Sequence, residues 1–252
     1  ATVIAHPMVL DMIRSFYHVQ PKFKPVSDKA VLELGEYKLR FYHTPWLHWP
    51  ETIMTFIENS AVLLTCDAFG GFSMPSKLFD DALSESEISA YLKYARKYAI
   101  TVIGHYRNYI LSNVEKLKSS GVEPRVIAPA HGLIWRSNPQ LIVNKYLEWS
   151  RGEATGRKAV IVYSSMYGFV EEAISYVAGK LRDLNWSVRV HKLTDRERLS
   201  EAEVLSDVVD SELVVIGTSN YESDVFPYMR YVLELLVEKA NFDKPVLVLE
   251  SY

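Results

Sequence analysis

A single cysteine, Cys66, occurs among 252 residues. An internal disulfide framework is therefore excluded, and such sparing use fits a reducing, cytoplasmic compartment. No apolar run approaches the roughly 18 residues of a membrane-spanning helix, and no signal peptide is visible. An excess of either charge is also lacking: the formal net charge is −3 and no stretch forms a Lys/Arg stripe, which argues against nucleic-acid binding. Internal repeats and low-complexity tracts are missing too. There is no initiator methionine. The first residues, Ala1 to Ala5, already read as a strand, and the last ones follow directly on the strand-like Pro245-Val246-Leu247-Val248-Leu249. We therefore expect an excerpt of a longer protein, with the runs Ala1–Ala5 and Lys38–His43 lacking neighbours that the longer protein would provide.

What is present suffices for two cores, since 48% of the residues are hydrophobic. The pattern is α/β throughout. In the front part, Pro7–Tyr17 reads as a helix, and Lys38–His43, Ala61–Cys66 and Arg125–Pro129 read as strands. Ser84-Glu85-Ser86-Glu87 has the form of a capping box opening a helix to Ala99. A second helix is expected over about 101–120, ending at Gly121, and a third over 138–150. The polar, glycine-bearing stretch Arg151–Arg157 then reads as a linker, giving domains 1–150 and 157–252. Beyond it, strands over 158–163, 186–192, 212–217 and 245–249 alternate with helices over 170–184, 200–207 and 227–239. That alternation predicts a doubly wound parallel sheet, whose ligands bind beyond the carboxyl ends of the strands.

Two constellations carry chemistry. In the front part His48, Asp67 and His131 each follow a strand-like run, and mixed imidazole and carboxylate donors suit non-haem iron or zinc. Each alone is ordinary: a core histidine, a turn aspartate, a loop histidine. In the rear part Ser164-Ser165-Met166-Tyr167-Gly168 links a strand to a helix N-terminus, a natural seat for a phosphate. Thr218, Ser219, Asn220 and Tyr221 form a polar rim with an aromatic ring at the next strand end, and Ser251 and Tyr252 stand at a third.

With those residues in view, 157–252 resembles a flavodoxin domain. Ser165-Met166-Tyr167-Gly168 matches its phosphate loop and Ser219-Asn220-Tyr221 its second flavin loop. Phe169 and Val170 depart from the family pattern, which usually has Ser or Thr at the latter position. On this alignment Val170→Thr should restore a hydrogen bond to the phosphate. The front part resembles the metallo-β-lactamase-like domain of flavodiiron proteins through Leu47-His48-Trp49-Pro50, Cys66-Asp67-Ala68-Phe69-Gly70-Gly71 and Ala128-Pro129-Ala130-His131-Gly132.

The resemblance implies an FMN held by Ser165, Met166, Tyr167, Gly168, Phe169, Val170, Thr218, Ser219, Asn220, Tyr221, Ser251 and Tyr252. It also implies a diiron site with His48 and His131 as imidazole ligands and Asp67 as the bridging carboxylate. The remaining ligands come, in the family, from an upstream H-x-E-x-D segment that does not occur in these residues. His6, His18, His43, His105 and His191 gain no ligand role from the match, and Trp49 and Trp135 are expected to pack the metal pocket. The implied activity is an oxidoreductase that passes electrons from a donor such as rubredoxin or a reduced deazaflavin coenzyme through FMN to iron. Its acceptor is dioxygen, reduced to water, or nitric oxide, reduced to nitrous oxide. Such enzymes form head-to-tail homodimers, without nucleic acid or membrane. Two alternatives stand beside this reading: an FMN-binding electron-transfer protein with a non-catalytic metal domain, and a zinc hydrolase.

Overall fold

A computed structural model describes residues 1–194 and 200–251. The chain divides into two compact units, Ala1–Leu147 and Glu148–Tyr252. The division falls in the last turns of a helix, a few residues before the polar Arg151–Arg157 stretch.

The first unit opens with β1 (Thr2–Ala5), α1 (Val9–Tyr17) and β2 (Lys22–Pro25), where β1 and β2 pair in parallel. There follow β3 (Val31–Leu34), β4 (Tyr37–His43), β5 (Ile53–Ile57) and β6 (Val62–Leu64), then α2 (Glu85–Tyr98), α3 (Arg107–Ser119), β7 (Val126–Ala128) and α4 (Pro139–Arg151). The five strands from β3 to β7 lie in sequence order, antiparallel until the last pair, β6 and β7, which is parallel. The long excursion through α2 and α3 makes that parallel return possible. Lys38–His43 thus has neighbours on both sides, against expectation, because β3 and β5 both pair with it. Met54, Leu63 and Ile127 on neighbouring strands are buried together with Ile103, Ile142 and Tyr146 from the helical segments.

Local signals account for the helix ends. Ser84 and Glu87 form a reciprocal capping box, with the Ser84 N–H donating to Glu87 Oε2 at 2.8 Å. At the other end of α3, Gly121 takes φ +74° and the Val122 N–H returns to the Leu117 carbonyl. Between α2 and α3 the expected helix start near 101 is corrected. Ala99–Ile103 is a π-turn and Gly104–Tyr106 a 3-10 turn, so α3 begins only at Arg107. The β-branched run Ile100-Thr101-Val102-Ile103 crowds the preceding turn, and the Thr101 hydroxyl donates to the Lys97 carbonyl at 2.7 Å.

The second unit contains β8 (Lys158–Tyr163), α5 (Phe169–Asp183), β9 (Ser187–Lys192), α6 (Glu201–Val209), β10 (Leu213–Tyr221), β11 (Asp224–Val225), α7 (Pro227–Lys239) and β12 (Val246–Ser251). Its parallel strands run in the order β9-β8-β10-β12. From β8 the chain steps out to β9 and then returns to β10 on the other side, so the topological switch lies between β8 and β10. β10 runs four residues past its expected end. Glu222 and Ser223, both at positive φ, turn it into a two-residue hairpin with β11. Thr218 to Tyr221 are consequently strand, not loop.

Helix α5 packs on this sheet through Val170, Ile174 and Ala178 against Ile161, Tyr163 and Val215. Gly217 permits the close approach, because a Cβ there would meet Ile174 Cδ1 at 2.9 Å and Val170 Cγ1 at 3.0 Å. Beneath the far side, Lys158 Nζ bonds Asp207 at 2.9 Å and Asp210 at 2.6 Å, and His191 reaches Asp207. The Lys244 ammonium donates to the carbonyls of Gly152, Val209 and Ser211, which ties three chain segments together.

In the first unit Asp80 has a comparable role. Its buried carboxylate accepts from the backbone N–H groups of Arg136, Ser137 and Asn138 at 2.9–3.2 Å and so anchors the entry to α4. Burial opposes its charge, but these N–H groups outweigh that and hold its carboxyl below the ordinary 3.8. A depressed folded value contributes stability that is full above the unfolded value and fades as pH falls through the folded one. Asp80→Ala should therefore lose about 2–3 kcal/mol at neutral pH, measured by denaturant unfolding. The gap to the parent protein should narrow steadily below the ordinary carboxylate value.

Candidate metal centre

Three strand exits of the first unit deliver the expected donors. After β4 the chain makes a tight excursion closed by Thr44 N to Thr52 O at 2.8 Å and Trp46 N to Trp49 O at 2.8 Å. The Thr52 hydroxyl also donates to the Trp49 carbonyl. Leu47 is buried and anchors the loop, leaving His48 part-exposed beside it. After β6 the chain turns through Cys66 and Phe69, both at positive φ, and Thr65 Oγ1 donates to the Ala68 carbonyl at 2.7 Å. Asp67 stands inside that turn. After β7 the Ala130 N–H donates to the Cys66 carbonyl at 2.6 Å, joining the second and third loops, and His131 follows at once.

The three side chains meet around one carboxylate. His48 Nε2 lies 3.4 Å from Asp67 Oδ2, and His131 Nε2 lies 3.6 Å from Asp67 Oδ1. Each oxygen thus faces a different imidazole. The geometry is two pairs sharing an aspartate. Among the described residues, no three ligand-type side chains gather as one metal-holding group.

His131 has a defined tautomer. Its Nδ1 lies 3.1 Å from the Gly71 carbonyl, which can only accept, so Nδ1 carries a proton there and Nε2 is the atom that faces Asp67. A lone pair opposite a carboxylate oxygen is attractive only with a proton or a metal cation between them. The separations suit a cation, because two donors each about 2.0–2.2 Å from one ion lie roughly 3–3.6 Å apart. Imidazole and carboxylate together are a donor set for non-haem iron or zinc. The donors fit a metal site in which His48 and His131 would bind through imidazole nitrogen and Asp67 through its carboxylate.

Packing leaves the loops little freedom. A Cβ on Gly70 would meet the His131 carbonyl oxygen at 2.8 Å and His131 Cε1 at 2.9 Å, and one on Gly71 would meet the Tyr91 hydroxyl at 2.9 Å. Gly132, at φ +91°, leaves room for that same hydroxyl, which accepts from Leu133 N at 2.9 Å. The fully buried Tyr146 donates to the Gly70 carbonyl at 2.8 Å. Trp49 stands beside His48 with ring centroids 5.4 Å apart but is largely exposed, whereas Trp135 is fully buried against Tyr91.

One residue had no distinguishing mark in the sequence: Tyr98, at the end of α2. Its ring meets His131 edge-on with centroids 4.9 Å apart, and its buried hydroxyl has no hydrogen-bond partner. Burial, and then the charges of Asp67 and Cys66, push that hydroxyl well above the ordinary tyrosine value. A cavity of about 600 Å³ opens beside Tyr98 and His131, walled by the segment from Phe72 to Leu78.

In the second unit the expected flavin residues gather on both sides of the switch point. Ser164 and Thr218 hydroxyls lie 3.2 Å apart, and Met166 N donates to Ser219 Oγ at 3.3 Å. Ser251 pairs with Ser219 across β12 and β10. Tyr252 lies outside the described residues. Ser165 Oγ accepts from Gly168 N and Glu171 N at the start of α5. The N–H groups of Phe169 and Val170, the first of that helix, are left for an anion. The Glu171 carboxylate, close to that seat, is held by Lys192 at 2.8 Å and by the Tyr163 hydroxyl.

Tyr167 and Phe169 are strongly exposed and Tyr221 is part-exposed, so flat rings are on offer next to the polar loops. Asn220 lies on β10 opposite Val225. These features fit a phosphorylated aromatic cofactor. The expectation for the Val170 side chain is corrected: it points into the core against Gly217, not to the loop. A threonine there would bury its hydroxyl among Ile174 and Val215.

Comparison with known proteins identifies a family. The family described as ODP family beta lactamase matches residues 1–132. A nitric oxide reductase of Moorella thermoacetica is 28% identical over 253 residues, spanning 100% of this chain and 62% of that protein. A variant flavo di-iron protein from Thermotoga maritima superposes with a TM-score of 0.94 at 38% identity, covering 100% of this chain and 62% of its own. The rubredoxin oxygen:oxidoreductase of Desulfovibrio gigas, at 24% identity and a TM-score of 0.90, has the same fold. The chain spans about 62% of the length of the relatives it matches end to end. With more than half its residues inside the family match, the chain belongs to the ODP beta-lactamase family, and over its whole length it resembles flavodiiron proteins.

Proposed function

We propose that the protein is a flavodiiron oxidoreductase, in which 157–252 is a flavodoxin-like FMN domain and the front domain carries a non-haem diiron site. The observation that carries this reading is Asp67, whose two oxygens face the Nε2 atoms of two different histidines. Bound iron would supply the redox chemistry that takes electrons to dioxygen or nitric oxide. His48 and His131 would each hold one metal and Asp67 would bridge them. The Gly71 carbonyl keeps the His131 lone pair on the metal side. The glycines at 70, 71 and 132 let the loops after β6 and β7 approach closely.

The Tyr98 hydroxyl retains its proton at any ordinary pH, because burial and Asp67 both oppose its ionisation. Without a partner of its own, it is free to donate to a polar atom entering beside His131. In the second unit Ser165, Met166, Tyr167, Gly168 and the N–H groups of Phe169 and Val170 would hold the FMN phosphate. Thr218, Ser219, Asn220, Tyr221 and the Ser251–Tyr252 end would line the ring. A small electron donor such as rubredoxin or a reduced deazaflavin coenzyme would reduce the flavin. A head-to-tail homodimer would bring the flavin of one subunit close to the metal pair of the other. Among the described residues no helix is long and apolar enough to cross a membrane. A second reading, an FMN electron-transfer protein with a non-catalytic metal domain, is favoured by one observation: among the described residues no three ligand-type side chains gather as one metal-holding group.

Metal and flavin analysis of the full chain separates the two readings. Iron together with flavin supports the first, and flavin without iron supports the second. Asp67→Ala should remove the iron while leaving flavin absorbance unchanged. Tyr98→Phe should keep the iron content and lower gas-reduction turnover about 10²-fold or more, the usual range for a lost proton donor. Unchanged turnover would mean that the hydroxyl has no part in the reaction. Tyr221→Ala should weaken FMN binding by about 0.5–1.5 kcal/mol, read by fluorescence titration, without altering metal content.

A further inference from the structure

Behind the Asp67 loop lies a cavity of about 120 Å³, separate from the larger one beside His131. Its wall is built from β6, β7, α3, α4 and the loop after β6. Leu63, Phe69, Val114, Leu117, Ile127 and Val143 are all buried there. Lys118 and Gln140, both exposed, stand at its rim. None of the buried polar atoms left without a partner among the described residues lies on this wall. The polar side chains of the wall, Lys118 and Gln140, stand at the rim, and the side chains deeper in are apolar. An apolar cavity of comparable size stays dry and takes up xenon or a small apolar molecule.

Phe69 connects this space to the metal centre. Its ring forms part of the cavity wall and meets Tyr146 edge-on with centroids 5.1 Å apart, while Tyr146 bonds the Gly70 carbonyl. Two residues before it in the same turn is Asp67. An occupant of the cavity would therefore rest against the loop that sets the carboxylate.

From the apolar inner wall, its size and its shared loop with Asp67, we infer that this cavity is a binding site for small apolar gas molecules at the back of the metal centre. The gas molecules named in the proposed function belong to that class, and the inference deepens that reading. It rests on the reading for its biological meaning but not for its test, because occupancy requires neither metal nor flavin. A gas held here partitions out of water into the protein and raises its local concentration within one loop of the donors.

Xenon is the probe. In methyl-labelled full chain, increasing xenon pressure should shift the methyl resonances of Leu63, Val114, Leu117 and Val143 along saturating curves, with helium at equal pressure as control. Val143→Phe, which fills the space, should abolish these shifts. Val114→Ile, with one added methylene, should weaken them several-fold and serves if the phenylalanine variant fails to fold. Shifts that are linear in pressure, spread over the whole spectrum, or unchanged in the filled variants would overturn the inference. Failure of the xenon test with iron present would leave the oxidoreductase reading intact. A positive result without iron would leave the gas site intact.

Discussion

One carboxylate facing two imidazoles is the constraint on which the front unit depends. Asp67 offers one oxygen to His48 and the other to His131, at separations longer than a charge-assisted hydrogen bond. The Gly71 carbonyl claims the Nδ1 proton of His131, so the ring meets Asp67 with its Nε2 atom. Such an arrangement needs positive charge between its members. It persists in the fold because backbone and packing hold each loop independently of that charge.

The supporting shell explains how. Cys66 and Phe69 are held at positive φ on either side of the aspartate, which costs conformational energy that the surrounding bonds must offset. Thr65, Ala130 and Tyr146 supply those bonds, to the carbonyls of Ala68, Cys66 and Gly70 respectively. Tyr91 fills the space left by Gly71 and Gly132, with its hydroxyl satisfied by Leu133. Aromatic residues with anchored hydroxyls therefore set the loop positions, and Tyr98 is the exception whose hydroxyl stays free. A free hydroxyl in a buried, electronegative corner is costly for stability, and Tyr98 bears that cost beside His131.

The rear unit solves a different problem with the same materials. Parallel strands end at a switch between β8 and β10, and the loop after β8 hydrogen-bonds there to the end of β10. Close packing of α5 onto Gly217 brings the first turn of that helix down on the sheet. The same packing turns Val170 inward, so the position that looked like a lost phosphate contact is a core position. Periodicity could have suggested this, since Val170, Ile174 and Ala178 are spaced at helical intervals along one face.

Much of both the fold and the candidate site was legible in the residues themselves. Alternating apolar runs and helical periods located most elements within a few residues, because burial of one face is a local, repeating requirement. The capping box at Ser84 and the stop at Gly121 were readable for the same reason, as each satisfies backbone groups within a turn. His48, Asp67 and His131, each ordinary alone, could be named as a set through the family resemblance of their flanking segments. What no local pattern contained was pairing between distant segments: that Lys38–His43 has partners on both sides, that β10 continues into a hairpin, or that Ala99–Tyr106 unwinds. Nor did it contain the role of Tyr98, a helix residue whose meaning comes only from His131 across space. The sequence by itself determined which chemistry the strand ends offer. Only the tertiary structure decided which of those groups face one another, because approach distances depend on glycines, aromatic packing and sheet register that act between segments far apart in the chain.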